Sequence, residues 1–195
     1  MTPIGTMNHF FIEFIGSQFG YNLANQMAME VWSKTYRGDL GTFLTDTYTT
    51  QAFFNNLDKY HALLYNGVRQ DSGDEYKFIV KALTFYRSKG IDPMTKTIVF
   101  SNALDFPKAV EIKKYCENKI KASFGIGTNL TCDVYDNHGN KYGHENEVMK
   151  MIRCRMNKNQ PWYLTIKISD DIGKHMGDND EFNHACYELE INLAA

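Results

Sequence analysis

The chain has 195 residues, 43% of them hydrophobic and 23% charged, a globular profile that excludes low complexity and gives enough length for one domain with a sizeable core. Twenty-one Lys and Arg stand against 23 Asp and Glu, a formal charge of -2, so no global field draws the protein to nucleic acid or to a membrane surface, and any phosphate must be bound locally. No apolar run approaches the roughly 18 residues of a membrane span, and the start lacks a basic stretch followed by an apolar one, so a soluble, cytoplasmic protein is expected. The four cysteines, Cys116, Cys132, Cys154 and Cys186, show no CxxC and no zinc-type spacing; ordinary buried or half-buried thiols in a reducing compartment fit them best.

In chain order, residues 17–36 carry apolar side chains at helical spacing (Phe19, Leu23, Met27, Val31) without a proline and read as one helix. Residues 40–45 are short and apolar between Gly38-Asp39 and Asp46 and read as a strand, 49–57 as a helix, and 62–68 as a second strand. Residues 75–89 form a helix stopped by Gly90, 96–101 a β-branched strand, 106–118 a helix and 119–124 a further strand. This alternation predicts right-handed βαβ units and about four parallel strands, where a closed barrel needs eight. After Asp133 the chain turns polar, and 147–156 with 162–169 read as an antiparallel pair. The expected organisation is a partial α/β unit over 1–133 and a smaller, β-rich appendage of the same domain over 134–195.

In parallel α/β architectures ligands meet the carboxyl ends of the strands, so the turns that follow the strands are the informative places. After the second strand comes Gly67-Val68-Arg69-Gln70-Asp71-Ser72-Gly73-Asp74, a guanidinium and two carboxylates suited to an anionic ring and a divalent cation; Asp71 and Asp74 suit equally the capping of the helix near Glu75. After the third strand Ser101 and Asn102 offer a hydroxyl and an amide. After the fourth, Gly125, Gly127 and Thr128 can turn backbone N–H groups toward a phosphate, in a motif that is neither the dinucleotide fingerprint nor a P-loop. Gly5-Thr6-Met7-Asn8-His9 sets a histidine ahead of an apolar helical stretch, where it can exchange a proton, act as a nucleophile, or simply cap. The other histidines, His61, His138, His144, His175 and His184, read as solvated.

Together and in this order, the stretches GTMNH (5–9), LTDTY (44–48), GVRQDSGD (67–74), YRSKGIDPMTKTIVFSNALD (86–105) and SFGIGTNLTCD (123–133), with a weaker KISDDIGK (167–174), resemble the nicotinate phosphoribosyltransferase family of the type II phosphoribosyltransferases. The resemblance implies the C-terminal half of an enzyme about twice as long, and with it the C-terminal portion of an α/β barrel. It implies the joining of nicotinate to 5-phosphoribosyl 1-pyrophosphate, coupled to ATP hydrolysis, in the salvage route to NAD. It further implies His9 as the phosphorylated histidine, Arg69 at the pyridine ring, and Asp71 near the ribose and magnesium, with Asp74 as a second metal carboxylate. Thr6, Ser101, Asn102, Gly125, Gly127 and Thr128 are implied to line the substrate site. Mg2+ is the implied cofactor, with ATP and 5-phosphoribosyl 1-pyrophosphate as co-substrates. A homodimer is expected, and activity of the chain alone is not, unless a separately encoded N-terminal half complements it. The competing expectations are a non-catalytic complementing subunit and a nicotinamide-preferring relative.

Overall fold

The computed structural model describes residues 7–131, 134–140 and 149–191. Helix α1 (His9–Phe19) begins where the Asn8 side chain accepts the Phe11 N–H at 2.9 Å. It ends at Gly20, whose φ of +86° an L side chain rarely adopts, and α2 (Tyr21–Tyr36) follows at once. The single helix expected over 17–36 is therefore two, because periodicity does not register one residue with a left-handed backbone.

A four-stranded sheet follows, built from β1 (Thr42–Leu44), β2 (Gly67–Gln70), β3 (Thr97–Phe100) and β4 (Lys121–Phe124). It is parallel throughout, in the order β1-β2-β3-β4. Gly67 lies opposite Thr97, and a Cβ there would stand 1.8 Å from the Thr97 carbonyl oxygen, so this close approach requires glycine. Between the strands run α3 (Thr50–Asn56), α4 (Lys59–Leu64), α5 (Glu75–Ser88) and α6 (Phe106–Cys116). Each opens on an Asp or Thr whose side chain accepts an N–H of the first turn: Thr49, Asp58, Asp74 and Asp105. The α/β class and the parallel order agree with the sequence reading. Residues 62–68 do not form one strand: 62–64 complete α4, which the Asp58 cap nucleates, and pairing starts only at Gly67.

After β4 comes the short α7 (Thr128–Thr131). The expected antiparallel pair is present but brief, as β5 (Arg153–Cys154) and β6 (Tyr163–Leu164). The segment beyond it includes α8 (Asn179–Glu188), which the polar sequence did not announce. Ile166, Ile168, Ala185 and Cys186 join the same hydrophobic core as Phe43, Tyr48 and Phe100. Cys116, Cys154 and Cys186 are free, buried thiols, while Cys132 and His144 lie outside the described residues. His61 is not solvated as expected: it is 1% exposed, with Nδ1 held 3.0 Å from Asp58 and its ring stacked on Tyr65. Among the described residues no helix is long and apolar enough to cross a membrane.

Candidate active site

The carboxyl ends of β1, β2 and β3 deliver their next residues to one place, and the start of α1 lies over them. His9 holds Thr47 Oγ1 at 2.9 Å through Nδ1 and Asp71 Oδ2 at 3.4 Å through Nε2, with Asp46 Oδ1 3.8 Å from Nε2. A carboxylate only accepts, so a hydrogen on Nε2 faces Asp71; in the neutral ring of that tautomer Nδ1 presents its lone pair to the Thr47 hydroxyl. Asp71 Oδ1 accepts the Ser101 hydroxyl at 2.6 Å and Arg69 Nη2 at 3.0 Å, while Arg69 Nε donates to Ser101 Oγ at 2.8 Å. Burial works against ionisation of Asp71, but the bonds with His9 and Ser101 and the Arg69 charge outweigh it and hold this carboxyl well below the usual carboxylate range.

Asp46 is fully buried. Its Oδ2 accepts Ser72 Oγ at 2.7 Å, and its Oδ1, turned toward His9, has no hydrogen-bond partner. One turn along α1 from His9, Glu13 is 2% exposed, and burial pushes its carboxyl up to about 7 against the pull of Lys167. Lys167, itself buried, is lowered by desolvation, an effect that the Asp46, Asp71 and Glu13 carboxylates oppose. Lys174 donates to the Asp71 carbonyl at 2.5 Å and to Asn102 Oδ1 at 2.9 Å.

Of the residues singled out in the sequence, His9, Arg69, Asp71, Ser101 and Asn102 come together here. Gly125 flanks them: its N–H donates to the Phe100 carbonyl at 2.8 Å, continuing the ladder, and a Cβ on it would lie 3.6 Å from Ser101 Cβ. Gly127 and Thr128 stand at the start of α7, which Asn129 Nδ2 ties to the Leu104 carbonyl at 3.0 Å. Asp74 is exposed and caps α5 through the Lys77 N–H at 2.7 Å, apart from the His9–Asp46–Asp71 group. Thr6 lies outside the described residues. Sequence reasoning passed over Asp46, Thr47, Lys167 and Lys174, although LTDTY and KISDDIGK were both in view and Asp46 directly follows the strand read over 40–45.

A parallel sheet whose carboxyl edge gathers an imidazole, two carboxylates and a guanidinium defines an α/β protein with a polar candidate site at its strand ends. Residues 1–192 match the model of the nicotinate phosphoribosyltransferase (NAPRTase) family, and the chain belongs to that family. It is 47% identical over 191 residues to the nicotinate phosphoribosyltransferase of Desulforapulum autotrophicum, covering 98% of this chain and 48% of that protein. The crystal structure of nicotinate phosphoribosyltransferase from Porphyromonas gingivalis superimposes with a TM-score of 0.86 at 46% identity, covering 96% of this chain and 47% of that one. The corresponding Vibrio cholerae structure also gives 0.86, at 32% identity, over 98% and 45%. The chain thus spans about half the length of the relatives it matches.

Proposed function

We propose that this chain forms part of the active site of a nicotinate phosphoribosyltransferase, in which nicotinate and 5-phosphoribosyl 1-pyrophosphate yield nicotinate mononucleotide and pyrophosphate, coupled to ATP hydrolysis through phosphorylation of His9. The observation that carries the reading is the placement of His9, with Nε2 3.4 Å from the Asp71 carboxylate and Nδ1 2.9 Å from the buried Thr47 hydroxyl, which a phosphoryl group on Nδ1 would displace. An imidazole oriented by a carboxylate in this way is a competent nucleophile. Nδ1 attacks the γ-phosphorus of ATP, the bond to the bridging oxygen breaks, and ADP departs; water later cleaves the N–P bond and releases phosphate.

In the transfer step the nicotinate ring nitrogen donates its lone pair to the anomeric carbon as the bond to pyrophosphate breaks, through an oxocarbenium-like state that mainly needs positioned partners. Asp71, fixed by Arg69 and Ser101, and Asn102 hold the pentose; Arg69 faces the pyridine carboxylate; the loop with Gly125, Gly127 and Thr128 receives the 5-phosphate. The donor set fits a magnesium ion, since Asp46 Oδ1 is buried without a partner and lies with Asp71 and His9 in a group whose ligand atoms all fall within 4.8 Å of one another. Asp46 and Asp71 would hold that ion, and its positive charge favours departure of the pyrophosphate. Turnover draws on the remaining length of the relatives, on the same or a separate polypeptide. β1 and β4, each paired on one side among the described strands, provide edges on which a barrel and a homodimer can be completed.

In the protein completed by the remaining length of the relatives, incubation with γ-labelled ATP and Mg2+ should place an acid-labile, alkali-stable phosphate on the wild type. His9→Ala should carry no label, lose ATP hydrolysis and keep a low basal transfer rate. Undiminished labelling of His9→Ala would overturn the reading.

A further inference from the structure

The stretch KISDDIGK at 167–174 runs across the carboxyl edge of the sheet and binds the loops after three successive strands. Toward the loop after β1, the Ile168 N–H donates to the Thr47 carbonyl at 2.8 Å, and the Asp170 carboxylate accepts the Thr50 N–H at 2.9 Å and its hydroxyl at 2.5 Å. Toward the loop after β2, Asp171 Oδ1 accepts the Gly73 N–H at 3.1 Å, and the Asp170 N–H donates to Ser72 Oγ at 3.2 Å. Lys174 then crosses to the third loop, donating to the Asp71 carbonyl at 2.5 Å and to Asn102 Oδ1 at 2.9 Å, with Asp171 Oδ2 at 3.6 Å.

We infer that Lys174 is a positioning residue, the pin by which this strap holds Asp71 and Asn102 in fixed relation so that both face one ligand. The inference rests on the reading above that this edge receives the phosphorylated pentose. An ammonium has three hydrogens; two are directed at acceptors on different loops, and the charge is set against Asp171, so Lys174 acts through these neighbours. Asn102 is held at both ends of its amide, because Nδ2 donates to the Gly73 carbonyl at 3.3 Å while Oδ1 accepts from Lys174. Gly73, Asn102, Lys174 and Asp71 thus form a chain of hydrogen bonds from one loop to the other and back. Arg69, Ser101 and His9 orient the Asp71 carboxylate; Lys174 fixes its main chain.

The test compares intact wild type, Lys174→Met and Lys174→Arg in two measurements. By hydrogen exchange, the Met variant should speed exchange of amides 71–74 and 101–103 about tenfold, the loss expected when charged hydrogen bonds are removed, with α2 and α5 unchanged and Arg restoring most of the protection. Unchanged exchange in the Met variant, or equal loosening throughout the chain, would overturn the inference. By calorimetry, Mg2+ with 5-phosphoribosyl 1-pyrophosphate should bind the Met variant about tenfold more weakly, with Arg recovering most of the affinity; equal affinity would also overturn it. No heat with the wild type would instead overturn the pentose reading, leaving the exchange result alone to decide the pin.

Discussion

Glu13 gives stability a pH dependence that follows from where it sits. Its carboxyl is 2% exposed, Oε1 has no hydrogen-bond partner, and burial raises it from 4.5 to about 7 although Lys167 pulls the other way. Below pH 4.5 the group is protonated in both folded and unfolded chains and contributes no slope. Between 4.5 and 7 the unfolded chain ionises while the folded one holds its proton, so stability falls as pH rises, and above 7 the loss is complete. At about 1.4 kcal/mol per pH unit the full penalty is about 3 kcal/mol. Glu13→Gln keeps the shape and cannot ionise, so the variant should gain up to about 3 kcal/mol over wild type between pH 4.5 and pH 8. Urea unfolding of both proteins across that range, with slopes checked for equality, measures the difference. A difference between the two that does not change with pH would show that Glu13 titrates as an ordinary carboxylate and that its surroundings are wet.

Two further substitutions examine the scaffold. Gly67→Ala should cost about 3 kcal/mol or more, or prevent folding, because the new Cβ would meet the Thr97 carbonyl at 1.8 Å and neither backbone can yield without breaking the β2–β3 ladder. A shift in urea midpoint worth under about 1 kcal/mol would refute that register. Asp58→Ala removes the cap of α4 and the partner of the buried His61 ring, and should cost about 1 kcal/mol by the same measurement; a neutral result would show that α4 is held by packing alone.

The sequence made the alternation of strands and helices legible because each depends on local pattern: β-branched runs such as Thr97–Phe100, apolar stripes such as that of α5, and an Asp or Thr at each helix start. The misread places are those where one residue decides the backbone. Gly20 divides a periodic stretch into α1 and α2, and Asp58 turns residues that look extended into α4. Arg69, Asp71, Ser101 and Asn102 were legible because strand-end turns are where an α/β protein places its chemistry, and His9 because it stands at the start of an apolar helical stretch. Lys167 and Lys174 were not, since their importance lies in contacts spanning up to 103 residues of sequence, as between Lys174 and Asp71. Nothing local distinguishes such a lysine from a solvated one.

The same contacts bear on how the site would treat an anion. Two of its cations are already engaged, Arg69 by Asp71 and Ser101, and Lys174 by the Asp71 carbonyl, Asn102 and Asp171, while a third, Lys167, is buried. What faces His9 is carboxylate, from Asp46 and Asp71. On the proposed function a bare pyrophosphate would therefore meet like charge at close range, in surroundings where burial strengthens the repulsion. The orphaned Asp46 oxygen points the same way, because a buried acceptor without a donor is costly unless a cation or a proton satisfies it. On that proposal, a divalent ion held by Asp46 and Asp71 would remove both penalties together, so substrate binding would depend on it as well as departure of the leaving group. The proposed phosphorylation of His9 would fit the same balance: a phosphoryl group on Nδ1 would add negative charge on the Thr47 side of the ring, away from Asp71, which holds Nε2.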